Sequence, residues 1–207
     1  MTAQIGDTVE YQGNDYSLAG INGEGIFDPG QIGLPVVMIS TACWDGFYCT
    51  YTVDDEALFL TRLTVGFDEK DSQLAEKGEG PVHWGMPPRR DQHEAVDMMS
   101  METVTYWGDW YYEGFRHPVP FTGGLLIGDD FIREMYVHMG HHPAYKFRRV
   151  HELIFNDGRL VSQEDKSDQM ADFRSQLSDR PLTPTDPNDR QEIEAWIDQS
   201  FSRDYKW

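Results

Sequence analysis

Segments that alternate apolar and polar residues, or run apolar, recur along the chain with short turn signals between them. A period of two sends successive side chains to opposite faces, so these segments predict strands. Gly13-Asn14 separates "TVEYQ" from "DYSLAGI", and Asp54-Asp55 separates "FYCTYTV" from "ALFLTRLTV". Asp129-Asp130 separates "GGLLIG" from "FIREMYVHM", and Asn156-Asp157-Gly158 separates "VHELIF" from "RLVSQED". Asn, Asp and Gly tolerate the left-handed backbone that tight hairpin turns require. Around the last turn, His151, Leu153 and Phe155 share one face while Val150, Glu152 and Ile154 share the other. "PVVMISTACW" is apolar on both parities and predicts a central strand covered on both sides. "METVTYWGDWYYEGF" adds one or two aromatic-rich strands, for roughly eight to ten in all.

The period changes near the end of the chain. "SDQMADFRSQL" places Met170, Phe173 and Leu177 at helical spacing, with Ser167 as N-cap. A proline-punctuated link, "RPLTPTDPNDRQ", leads to "DRQEIEAWIDQSF", where Ile193, Trp196, Ile197 and Phe201 form the apolar face of a helix that must dock. Two connections are long, and within the second "KDSQLAEKG" suits a turn or two of helix. The expected fold is mainly antiparallel β, a meander closed as a barrel or folded as a sandwich, with one or two C-terminal α-helices. Residues 1–166 form the β domain in this reading, and 167–207 a helical segment docked on it.

Charge narrows the partners. The 207 residues carry 36 acidic and 17 basic side chains, a net charge of −19. Residues 1–101 hold −12 of it, residues 102–151 only −1, and residues 152–207 the remaining −6. Such a surface disfavours direct binding to nucleic acid or anionic membrane, both of which need a basic face. It would attract a basic protein, and it would also serve plain solubility. No run of 18 apolar residues predicts a membrane helix, and "MTAQIGDTVEYQGND" has no secretory-signal pattern, so a cytoplasmic protein is expected. Cys43 and Cys49, the only two cysteines, then read as buried thiols, with a histidine-activated nucleophile as the sharper alternative.

Five of the seven histidines fall in the near-neutral middle third: His117, His138, His141, His142 and His151. In "YVHMGHHPAYKFRR", His138, His141 and His142 have the density of a divalent-metal site, but Gly140 and Pro143 break the helix that would align them. On a strand, His138 would share a face with Ile132, Glu134 and Tyr136. A second reading joins these histidines to Arg116, Lys146, Arg148 and Arg149 as a pocket for a small polar or anionic ligand, walled by Trp107, Trp110, Tyr111, Tyr112 and Phe115. A third leaves the aromatics in the core and the cations on nearby carboxylates. "FTGGLLIGDDF" lacks phosphate-loop spacing, no G-x-S-x-G elbow surrounds Ser40, and no cofactor is predicted beyond the metal alternative.

At "STACWDGFYCTY", "FTGGLLIGDDFIREMYVHMGHHPAYKF" and "LIFNDGRLV" the chain resembles a family of uncharacterised bacterial proteins, over most of residues 8–175. The resemblance implies a bacterial cytoplasmic origin and brings no activity to any residue. Two classes of function follow from the residues. One is an acidic, non-enzymatic binding protein, of inhibitor or immunity type, for a basic partner. The other is a β-barrel protein that binds or hydrolyses a small ligand in a His- and aromatic-rich pocket formed by residues 107–151.

Overall fold

Strand pairing begins at tight turns. In the computed structural model, which describes residues 2–23, 26–96, 103–177 and 190–206, β1 (Thr8–Tyr11) joins β2 (Asn14–Asn22) through Gln12-Gly13. β3 (Phe47–Asp54) joins β4 (Ala57–Val65) through Asp55-Glu56. All four of these residues, and the Asp157-Gly158 pair between β9 (Phe147–Asn156) and β10 (Arg159–Asp165), have φ between 47° and 77°. Two consecutive positive φ values make the I′ type of turn, whose twist matches that of paired strands.

The remaining strands are β5 (Gln92–Val96), β6 (Thr103–Trp107), β7 (Trp110–Pro118) and β8 (Gly123–Phe131). Eight strands form one sheet in the order β10-β9-β8-β2-β1-β3-β4-β7, while β5 and β6 pair only with each other. Pairing in this sheet is antiparallel except between β1 and β3. The sheet curls until the tip of the β9–β10 hairpin meets the tip of the β3–β4 hairpin. There Leu58 N–H donates to Gly158 O (2.9 Å) and Leu160 N–H to Glu56 O (2.8 Å). Closure is confined to that end, so the β-rich fold expected from the alternation is present without a complete barrel.

Two apolar clusters result. Inside the curl, Val9, Leu18, Leu60, Leu63, Leu125 and Leu153 belong to the main core. Leu126, Val150, Phe147 and Ala19 point to the opposite face and pack with Met170. β8 is thus the strand buried on both sides, with Leu125, Leu126 and Ile127 all at most 3% exposed. "PVVMISTACW" is not. It runs irregularly, held by single bonds such as Val37 N–H to Gly66 O (2.9 Å), and Val37 and Met38 are exposed. Pro35 has no N–H to give a ladder, and Ser40 and Cys43 pair across a tight turn instead of extending a strand.

A second correction concerns "FIREMYVHM". β8 continues through Asp129 and Asp130, because Arg149 and Arg148 of β9 stand opposite and form ion pairs with them. The chain leaves the sheet only at Ile132, whose N–H donates to Lys146 O (2.8 Å), and residues 132–146 loop over the outer face with short 3-10 turns at Arg133–Met135 and Ala144–Lys146. His138 therefore shares no strand face with Glu134 and Tyr136.

Three helices accompany the strands among the described residues. α1 (Glu69–Glu76) starts at Asp68, whose carboxylate accepts from Asp71 N–H (2.8 Å). α2 (Ser167–Leu177) covers the outer cluster through Met170. Ser167 is its first residue and not its cap: its hydroxyl accepts from Val150 N–H (3.1 Å), and Asp165 accepts from Ser167 N–H (2.8 Å). α3 (Arg190–Phe201) leads into a tail that fills a gap in the sheet. β1 is short, so the far half of β2 lacks a neighbour on that side; Ile21 N–H donates to Arg203 O (2.8 Å) and Tyr205 N–H to Ile21 O (3.3 Å). No described helix is long and apolar enough to cross a membrane.

Candidate functional site

The loop over the outer face, α2, α3 and the tail enclose a cleft of about 620 Å³. Its construction starts at Gly140, which has φ 60° and lies so close to Ser200 that a Cβ there would collide with the Ser200 carbonyl. With no side chain in the way, Gly140 O accepts from Gln4 N–H (2.8 Å) and the next N–H, of His141, donates to Ser200 O (2.7 Å). This crossing locks the "HMGHH" segment against the end of α3. Arg203, two residues beyond α3, donates to Asp7 (2.7 Å), a buried carboxylate that also accepts from Cys49 N–H (2.7 Å). Tyr205 donates its hydroxyl to Glu152 (2.8 Å), in the space left by Gly20 and Gly124, where a Cβ would press on the Tyr205 ring or hydroxyl.

Ala19 and Leu126 form the floor of the cleft, Val137 and Met139 one wall, and Met170, Phe173 and Trp196 the other. Polar groups, among them Gln199, Ser202 and Asp204, complete the lining, and Lys146 belongs to it while only 5% exposed. Its backbone is pinned on both sides: Lys146 N–H donates to Pro143 O (3.0 Å), and Arg174 reaches from α2 to the carbonyls of Tyr145 (3.0 Å) and Phe147 (2.8 Å). Among the described residues, the Lys146 ammonium has no ion-pair partner. Burial pushes its pKa below the ordinary value of 10.5. Lys146 thus stands in the cleft wall without an ion-paired carboxylate among the described residues, although Asp204 lines the same cleft.

His141 lines the same cleft, and burial, reinforced by the positive charge of Arg203, pushes its pKa down to about 4. His142 stacks at a tilt on Phe131 (4.7 Å between centroids) and Tyr136 (5.3 Å), and its buried Nδ1 has no hydrogen-bond partner. Its pKa is also lowered to about 4, first by burial and then by the charge of Lys146. Both imidazoles are therefore neutral at pH 7. His138 is exposed, with Nδ1 2.9 Å from the Tyr136 hydroxyl. The three do not converge, and among the described residues no group of three or more His, Cys, Asp or Glu side chains is arranged to hold a metal ion.

The other sequence candidates are dispersed. His117 packs edge-on against Trp84 (5.8 Å) and Phe27 (6.0 Å), and His151 against Tyr16 (5.6 Å) and Tyr11 (6.3 Å). Arg116 pairs with Asp54 (2.6 Å) and lies over Phe59, and Arg148 pairs with Asp130 (3.1 Å). Trp110 and Tyr112 are in the core; the Tyr112 hydroxyl donates to Pro81 O (2.7 Å). Trp107 is exposed on β6 beside Arg90, whose guanidinium lies between it (4.5 Å) and Trp110 (4.6 Å). Of the histidines and cations singled out in the sequence, only His141 and Lys146 face the cleft. Both cysteines are free and buried, and burial pushes the Cys49 thiol well up, which keeps it protonated.

Sequence reasoning missed that Trp196, Arg203 and Tyr205 line one cleft with Lys146. The signal available was the apolar stripe of each terminal helix, with Met170 and Phe173 on one and Trp196 on the other, which marks what these helices bury but not where. Compared with protein-family models, with curated proteins and with solved structures, the chain matches none.

Proposed function

We infer that this protein is a non-enzymatic binder of a small anionic molecule with an apolar body, held in the cleft over Lys146. The observation that carries the reading is Lys146, a lysine only 5% exposed that lines the cleft beside apolar side chains and has no ion pair among the described residues. A purely structural side chain at this position would be better served by methionine, since removing an uncompensated buried charge in favour of an apolar group of similar size is commonly stabilising. A carboxylate, sulfonate or phosphate entering the cleft supplies the missing counter-charge, while Val137, Met139 and Trp196 receive the apolar part. The two free, buried thiols suit a reducing cytoplasm.

The test uses anilinonaphthalene sulfonate, an apolar fluorescent anion. Saturable binding at one site is expected, weakened about 10- to 100-fold in Lys146→Met, the loss of one charge-assisted contact. The same variant should melt at the same or a higher temperature, which separates loss of the ligand contact from loss of the fold. Equal affinity in the two proteins would overturn the reading.

A second reading, an acidic binding protein of inhibitor or immunity type for a basic partner, draws on a different observation. Among the described residues, nine cationic side chains are already engaged by carboxylates of the same chain, from Arg62–Glu113 to Arg203–Asp7. The excess of acidic groups is left facing solvent.

A further inference from the structure

We propose that Lys146 is also a covalent site: its amine condenses with the carbonyl of a small anionic aldehyde or α-keto acid admitted to the cleft, giving an imine. The proposal rests on the assignment of the cleft to small anions and adds a bond-forming step to it. Three observations converge. The side chain is only 5% exposed yet lines an open cleft, which gives a small molecule access to it. It has no ion pair among the described residues to hold it as an ammonium, and the cleft lining carries Lys146, Lys206 and the Asp7-paired Arg203 against the single carboxylate of Asp204, a balance that favours an anionic reactant. The 3-10 turn Ala144–Lys146 and the Arg174 contacts fix its backbone, so the amine is presented from a rigid base.

The chemistry balances without a further reactant. The Nζ lone pair adds to the carbonyl carbon, forming a C–N bond and a carbinolamine. Loss of water then breaks the C–O bond and completes C=N; the oxygen of that water comes from the carbonyl and its two hydrogens from the amine. Only the neutral amine reacts, and desolvation of Lys146 raises its neutral fraction near pH 7 above that of an ordinary lysine. The other four lysines lack this environment. Lys70, Lys77 and Lys206 are exposed, and the Lys166 ammonium donates to the Glu164 carboxylate (2.9 Å), with its pKa raised.

The experiment is reductive trapping on the whole chain. Glyoxylate and sodium cyanoborohydride are added at neutral pH, and the adducts are located by peptide mass mapping over time. Lys146 is expected to label first, clearly faster than Lys70, Lys77 or Lys206, the direction that its lowered pKa sets. In urea the five lysines should label at similar rates, and Lys146→Arg should lose the fast phase while keeping its charge and fold. Labelling of exposed lysines with Lys146 no faster, or a preference that survives urea, would overturn the proposal. Lys146-dependent binding of anilinonaphthalene sulfonate without fast trapping would sink the covalent step and leave the binding site standing. Fast trapping with sulfonate affinity unchanged in Lys146→Met would do the reverse.

Discussion

His141 and His142 make the cleft region sensitive to acid. Their folded pKa values of about 4 lie below the ordinary 6.5, so between these limits the unfolded chain binds more protons than the folded one. Stability must then fall as pH drops from 6.5 towards 4, and these residues contribute no pH dependence above 6.5. The slope approaches about 1.4 kcal/mol per pH unit for each histidine. Urea midpoints of the wild type and of His142→Phe, whose ring would sit between Phe131 and Tyr136 without an orphan nitrogen, should diverge below pH 6.5, with the variant losing less. Parallel pH curves would show that His142 ionises freely in the folded protein. At this scale the sequence was informative about residue types and poor about phase. The cluster "HMGHHPAYK" was legible as chemically unusual, and Lys146 was among its candidates. The strand assumed for it failed because Arg148 and Arg149 draw Asp129 and Asp130 into the ladder, a pairing between residues about twenty apart that periodicity does not register.

The terminal helices show the same limit in another form. Their apolar stripes were readable, and three of the four expected hairpin turns fell within a residue of their expected positions, because both are set by local sequence, while the turn expected at Asp129-Asp130 is strand. What the helices enclose depends on Arg203 reaching Asp7, a contact across 196 positions. Arg203→Ala would leave the Asp7 carboxylate buried with only the Cys49 N–H, a loss of roughly 3 kcal/mol or more. Hydrogen exchange gives the more specific readout. The Ile21 and His141 amides, which donate to Arg203 O and Ser200 O, should lose protection before the amides of the β8–β9 ladder. If all of these amides open together, the tail is no separate clasp and the cleft has no movable wall.

For the whole molecule, charge and curvature are arranged independently. The curled sheet buries its own interior, and the second cluster on its back is what the loop, α2 and the tail cover. Composition foretold the sign of the surface, but the ion-pair pattern that consumes most described cations required the fold. If the acidic surface serves a basic partner, retention of that partner on immobilised protein should be strong at ~0.05 M salt and fade by ~0.5 M, as the screening length shortens. Recovery of no basic protein at low salt, or retention indifferent to salt, would remove that role.

The short β1 has a consequence for how copies of this chain behave together. Residues 203–205 occupy the stretch of β2 that β1 leaves unpaired, with backbone bonds on both sides of Ile21. A chain cut before Arg203 would carry a bare strand margin beside an uncovered apolar floor, the combination through which sheets recruit one another into open-ended assemblies. The tail therefore caps a strand margin as well as walling the cleft.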